Sequence, residues 1–419
     1  MYITPVKTIF AVIGIFTAFV RIQAQNISEP VTLAMAETGA YSIIERSNWR
    51  RFNNGIYVGL MRQEIRASII PKPAEKNDGK SNGTYLYHGN FFVLQNTLRD
   101  MKQSAQAIDA VVPVNFELLE NRTMVIENDR GFPTMRGFPV FPAGKVTPGF
   151  KWRAPGNRAV NPFNPEQPVI VPFTAEYEYR GVEEYRNMRV HRIHATYINR
   201  YQNKTPAEDS FSQVRGNHEV DILLRVEDGL PVFMRDTLDE TYTTADGSTV
   251  QFKGFTLTFG EGIVPMDRGE IIASLETVIN TEQLPDPSIN SADFQDSAID
   301  VATVPEGIRL TVKDIRFAPD SAEFLPAEKP RIDLIAEALK QIPNRTFLVE
   351  GHTAATGRPA GEMELSVERA KQMVDELAKR GIGADRFIYK GWGGTKPLAD
   401  NSTDAGRSDN RRVEITILE

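Results

Sequence analysis

The sequence predicts a multidomain chain: a β-rich N-terminal region, α+β at first and then an antiparallel sandwich or half-barrel, followed by a C-terminal α/β sandwich. Three observations predict it. The chain has 419 residues, too many for one ordinary core. Between residues 146 and 279 apolar and polar side chains alternate over long runs, the period of strands with one wet face. Past residue 306 short apolar strands are separated by segments with apolar residues at steps of three and four, the period of helices.

Bulk properties narrow the classes. With 41% hydrophobic and 25% charged residues the composition is that of a globular protein. A net charge of −7 gives no basic face of the kind nucleic acid requires, so no nucleic-acid partner is expected. There are no cysteines, which excludes disulfides, thiol catalysis, Cys-ligated zinc and a lipid-modified cysteine.

Residues 1–24 read as a secretory signal peptide. Lys7 gives a positive start, Thr8 to Val20 is largely apolar, and Ala24 suits the cleavage position. An uncleaved membrane anchor is the alternative, although the apolar run is short for a span. Residues 25–145 are expected to form a mixed β/α domain. Tyr41 to Ile44 and Ile56 to Leu60 have strand composition and join through Asn53-Asn54-Gly55. A helix is expected between Phe92 and Ala107, with Leu98, Met101 and Ala105 on one face. Val111 to Leu119 and Met124 to Ile126 return to strand. The spaced Phe132, Phe138 and Phe141 are expected to fill the seam between two domains, with a partner patch as the alternative.

Residues 146–279 are expected to form an antiparallel β domain, with hairpin turns at Asp228-Gly229 and Asp246-Gly247, where glycine takes a positive φ without a Cβ clash. Charges at alternate positions, such as Glu176, Glu178 and Arg180, argue against the lipid-facing band of an outer-membrane barrel. A half-barrel of this kind can carry a lipid-like ligand. Residues 280–305, rich in Pro, Asp, Ser and Asn, are expected to be a linker. Residues 306–419 then read as βαβαββ. Leu310 and Val312 lead the first strand, Ile332, Ile335, Ala336 and Leu339 line the first helix, and Val413, Ile415 and Ile417 alternate in the last strand.

Chemistry-bearing patterns are few. The sequence has no nucleophile elbow, no H-E-x-x-H and no phosphate loop, so neither an enzyme nor a cofactor is expected. His191 and His194 come nearest to metal-ligand spacing. Three apart on a strand, they point to opposite faces, and no acidic cluster joins them, so no metal site is expected.

The last domain carries spaced motifs: Gly351-His352-Thr353, Gly357, Leu365-Ser366, Arg369-Ala370, Gly391-Trp392-Gly393 and Asn410-Arg411-Arg412-Val413-Glu414, after Phe317 and Asp320-Ser321-Ala322. In this order they resemble the OmpA-like peptidoglycan-binding domain, over about a quarter of the chain. The resemblance implies an exported protein of the bacterial periplasm, associated with the outer membrane or cell wall. It also implies a ligand, the stem peptide of peptidoglycan, whose diaminopimelate ends in an ammonium and a carboxylate. Family members meet the ammonium with an Asp after G-H-T, and the carboxylate with the Arg of L-S-x-x-R-A. Here Arg369 is kept, but Ala354 stands where the Asp is expected, Glu362 where Asn is usual, and Ala318 where an acid often follows the Phe. Candidate binding positions are therefore Thr353, Ala354, Glu362, Arg369, Asp320, Asn410 and Arg412, with Glu362 or Glu350 as a replacement acid and weak binding as the expectation. His352 is expected to brace its turn by hydrogen bonds. A scaffold that has lost peptidoglycan binding and engages an envelope protein through its β-rich region is the alternative function.

Overall fold

The computed structural model describes residues 29–35, 39–72, 84–96, 106–164, 167–262, 266–281, 299–318 and 321–418. The expected signal peptide and Asp320 lie outside them. In chain order the strands are β1 (Val31–Thr32), β2 (Tyr41–Asn53), β3 (Ile56–Pro71), β4 (Thr84–Asn96), β5 (Gln106–Ala107), β6 (Ala110–Leu119), β7 (Met124–Glu127), β8 (Met135–Arg136), β9 (Lys145–Val146), β10 (Lys151–Val160), β11 (Val169–Tyr185), β12 (Met188–Gln202), β13 (Gln213–Arg225), β14 (Pro231–Thr243), β15 (Thr249–Gly262), β16 (Ile299–Val304), β17 (Gly307–Lys313), β18 (Phe347–Gly351), β19 (Phe387–Gly391) and β20 (Arg412–Leu418). The helices are α1 (Arg268–Thr281), α2 (Lys329–Lys340), α3 (Pro359–Lys379) and α4 (Asp404–Asn410).

The β-rich region is one 12-stranded antiparallel sheet, in the order β7-β6-β4-β3-β2-β15-β14-β13-β12-β11-β10-β8. It is rolled until its two ends share a core. Phe91 and Phe116 from one end and Phe173 and Tyr177 from the other lie in a single buried cluster. Phe132 and Phe138 bridge them: the Phe91 and Phe132 rings are 5.2 Å apart and the Phe138 and Tyr177 rings 5.6 Å. Phe138 and Phe141 are thus buried and Phe132 partly so, inside one roll and not between two domains. Cross-strand ion pairs such as Lys151–Glu178, Arg192–Asp221 and Lys253–Asp239 lie on the outer face.

Three sequence expectations are corrected. The division at residues 145/146 does not divide the sheet, because β2 pairs with β15 from Tyr41↔Gly262 to Asn53↔Val250. The helix expected from Phe92 begins as strand: Phe92–Asn96 belong to β4, residues 97–105 lie outside the described residues, and Gln106–Ala107 form β5. The physical reason is burial on both faces of β4. Phe91 enters the roll core, whereas Phe92 and Leu94 pack against Ile108, Leu348, Ile388 and Leu418 of the next domain. Consecutive apolar residues then lose the alternation that marks a strand. Finally, the linker is shorter than residues 280–305. Residues 299–304 form β16, which pairs with β17, and 282–298 lie outside the described residues. α1 was not expected; its Leu275, with Met266 just before the helix, joins the C-terminal core.

The C-terminal domain is a mixed six-stranded sheet in the order β16-β17-β20-β18-β19-β5, with β18 and β19 parallel. It keeps the βαβαββ order and adds α1, β16 and α4. Helices α1, α2 and α3 cover one face, where Ile335, Leu339, Phe347, Val349, Met373, Leu377 and Ile415 are buried together. β5, from the middle of the roll region, adds a parallel edge to β19.

A fragment ending at residue 145 leaves β2 without β15. It is expected to show no cooperative thermal unfolding by circular dichroism, and a cooperative melt would restore the two-domain division. In the full chain, Phe138→Ala is expected to cost about 3–5 kcal/mol in denaturant unfolding, the usual range for a large buried aromatic.

Candidate functional site

The site is built where β18 ends against α3. All five residues of β18 are buried. Gly351 is required there, because a Cβ would lie 2.1 Å from the Ser366 carbonyl oxygen of α3. The chain then turns, with the His352 N–H donating to the Arg412 carbonyl and the Thr353 N–H to the Gly393 carbonyl, each at 3.0 Å. The Trp392 N–H donates back to Gly351 at 3.0 Å, and the Gly393 N–H to Ser366 Oγ at 2.8 Å. The Gly-His-Thr turn, the Gly-Trp-Gly turn and Ser366 of α3 are therefore one hydrogen-bonded unit.

Glu362, in the first turn of α3, accepts from the Thr356 N–H at 2.6 Å, the Thr356 hydroxyl at 3.0 Å and the Arg358 N–H at 3.0 Å. The Thr356 backbone bond leads in holding its carboxyl below the ordinary range. This acid anchors the loop. Two turns further along α3, the Arg369 guanidinium stands 4.4 Å over the Phe317 ring, and its Nε reaches the Ser321 carbonyl at 3.5 Å. Phe317 stacks on Phe324 at 4.6 Å, which fixes that platform. Ala354 is 5% exposed and brings no polar side-chain atom to the turn. Thr353 is buried beside it, with its hydroxyl unpaired among the described residues.

Two of the sequence candidates face elsewhere. Asn410 is fully buried: its oxygen accepts from Leu398 N–H at 2.7 Å and Ala399 N–H at 3.0 Å, and its amide donates to Asn401 Oδ1 at 2.9 Å. Asn401 in turn accepts from Ala355 N–H at 3.0 Å, so Asn410 supports the loop from behind. Arg412 lies on the sheet face opposite α3, since its neighbour Val413 packs into the helix-side core. Its Nε donates to Glu414 at 2.7 Å and its Nη2 to the Lys396 carbonyl at 3.1 Å.

On that far face Glu350 and Arg412, which the sequence reading named, meet Arg309, which it did not. Glu350 accepts from the Trp392 indole at 2.6 Å, while Arg309 lies 3.9 Å from Glu350 and 3.1 Å from Glu414. Burial raises the Glu350 carboxyl despite the Trp392 bond. Glu350 is thus engaged by Trp392 and Arg309 on the face opposite α3. The signal was readable as alternation: Glu350 and His352, and Arg412 and Glu414, sit every second residue on strands otherwise apolar. His352 braces the turn through its backbone only. Its ring nitrogens have no hydrogen-bond partner among the described residues, and burial, aided by Arg412, Lys396 and Arg309, pushes its pKa down to about 2. His191 and His194 lie on opposite faces of β12, one bonded to the Tyr179 hydroxyl at 2.9 Å and the other 3.5 Å from Asp221. Among the described residues no group of His, Asp or Glu could hold a metal ion.

Fold and site define an α/β sandwich with a loop site at the end of a parallel strand pair. Residues 316–411 are an OmpA family domain. Over 148 residues the chain is 33% identical to the peptidoglycan-binding protein ArfA of Mycobacterium tuberculosis, a match covering 35% of this chain and 43% of that protein. Over 104 residues it is 36% identical to the probable lipoprotein YiaD of Escherichia coli, covering 25% of this chain and 48% of that one. The chain thus spans less than half the length of either relative. Among solved structures, the cell wall anchor of the T6SS from Pseudomonas aeruginosa is 32% identical and matches 30% of this chain and 92% of its own, with a TM-score of 0.27.

An unfolded histidine takes up a proton near its ordinary pKa of 6.5, whereas folded His352 stays neutral down to about 2. Its contribution to stability is therefore lost as pH falls through that window. The His352 ring resonances are expected to stay flat between pH 7 and 4 by NMR; a titration near 6 would contradict its burial. Trp392→Phe, which strips Glu350 of its indole donor, is expected to cost about 1–3 kcal/mol in chemical unfolding.

Proposed function

We propose that this is an exported, non-enzymatic cell-envelope protein that associates with peptidoglycan through residues 306–419, and that it binds weakly. The observation that carries the reading is Arg369 held over Phe317, together with Ala354, which follows Gly-His-Thr and has no side-chain oxygen. A guanidinium fork there suits the carboxylate of a diaminopimelate stem peptide. The ammonium at its other end meets no acid at position 354, and Glu362 is already engaged by the loop. The name of the Mycobacterium tuberculosis relative supports the ligand class. The compartment is the periplasm, at the outer membrane or cell wall.

The engagement of Glu362 also favours a second reading. In it the domain keeps its fold, peptidoglycan binding is lost, and the protein serves as a scaffold for an envelope protein held through its β-rich region.

Co-sedimentation of the full chain with purified diaminopimelate-type sacculi separates the two. Weak wild-type binding is expected, with a gain of about tenfold or more for Ala354→Asp, since a charge-assisted bond contributes roughly 1.5–3 kcal/mol. Adding Arg369→Ala is expected to abolish the gain. No binding by either wild type or Ala354→Asp would favour the scaffold. Tight wild-type binding that survives Arg369→Ala would place the contact elsewhere in the chain.

A further inference from the structure

The roll encloses a cavity of about 490 Å³, within the span of small-molecule sites, roughly 300–1,000 Å³. Strand β2 runs along its wall. Tyr41, Glu45 and Trp49 all face inward at the period of a strand; at about 3.3 Å per residue they span roughly 26 Å. The cavity is therefore lined end to end by different chemistry.

At the Tyr41 end stands Arg122, in the turn between β6 and β7. Its backbone φ is +70°, a left-handed conformation that costs energy for any residue but glycine. Its Nη1 lies 3.3 Å from the Gly229 carbonyl and 3.8 Å from the Met35 sulfur, and its guanidinium carbon 5.8 Å from the centre of the Phe141 ring. Nε is buried without a partner. The side chain is half-buried and is bonded to a carbonyl and a thioether; the Asp228 carboxylate nearby is already held by Arg225 at 2.9 Å, so the guanidinium charge is left for an anion to complete. The other end carries an aromatic and aliphatic surface, Trp49 and Phe252 ring to ring at 5.7 Å with Met61 beside them; the charges on its wall are already paired, Glu240 with Arg158 at 2.7 Å and with the Tyr242 hydroxyl at 2.6 Å. Between the ends, burial pushes the Glu45 carboxyl up to about 7, with Arg158 opposing and Asp236 adding to the rise.

We propose that the cavity binds a single-chain anionic amphiphile, with its carboxylate or phosphate head on Arg122 and its tail toward Trp49, Met61 and Phe252. This assignment is independent of peptidoglycan binding, which belongs to the other domain.

The test is calorimetry and native mass spectrometry of the full chain with dodecanoate, dodecyl phosphate and dodecylammonium, each below its micelle concentration. One dodecanoate or one dodecyl phosphate per chain is expected, and their relative affinities separate the two head chemistries. Dodecylammonium is expected to bind at least tenfold more weakly than the better anion. Arg122→Gln is expected to weaken anion binding at least tenfold. Met61→Trp keeps Arg122 but fills the tail end; it is expected to abolish dodecanoate binding, so the proposal stays testable if Arg122→Gln fails to fold. Equal binding of the cation, unchanged binding in either folded variant, or no binding of either anion would overturn it.

Discussion

The ladder between β2 and β15 is the constraint on which the rest of this structure depends. It pairs Tyr41 with Gly262 and continues to Asn53 with Val250, joining the first strands of the chain to the last strand of the β-rich region. Two backbones must approach closely for it to form. A Cβ on Gly254 would lie 2.1 Å from the Asn48 carbonyl oxygen, so glycine is needed there. Each hydrogen bond adds only about 0.5–1.5 kcal/mol. The larger consequence is geometric: once the ladder closes, the remaining strands are forced round into a roll, and the aromatics of residues 132–141 are buried between its ends.

The same economy governs the C-terminal sheet, whose two faces have different neighbours. One face is dry and covered by helices. The other is split. Leu348, Ile388 and Leu418 are covered by Phe92, Leu94 and Ile108 of the roll region, while Glu350, Glu414, Arg309 and Arg412 pair with one another further along the strands. A sheet buried on both sides must pair its charges where no apolar cover reaches. The turn carrying Thr353 and Ala354 sits at the junction of the two arrangements, so its backbone is fixed from both.

How much was legible follows from which faces are wet. The antiparallel strands of residues 169–259 alternate because their outer face meets solvent, and the C-terminal helices show their apolar stripe for the same reason. β4 was misread because both its faces are covered. The break at residue 145 was misread because the Pro- and Gly-rich stretch before it resembles a connector, yet it supplies the interior of the roll. α1 was missed although Ile271, Ile272, Leu275, Val278 and Ile279 repeat at helical steps; the proline-rich run beyond it dominated that region. At the site, Arg369 and Glu362 were located by motif. Their partners Phe317, Ser321 and Thr356 come from other segments, and only folding brings them together. Asn410 and Arg412 carry the motif but act in support of the loop or on the far face.

The β2 ladder also bears on how such a chain is made. Its partner strand lies roughly 200 residues further along the sequence, a non-local contact of the kind that slows folding. Until Thr249–Gly262 has been synthesised, β2 pairs only with β3 and presents an open edge to other chains. Glu45, Arg46, Arg50 and Arg51 place charge along that edge, the means by which strands resist adding to one another. Residues that later face the cavity or solvent thus guard the nascent chain against aggregation before the roll exists.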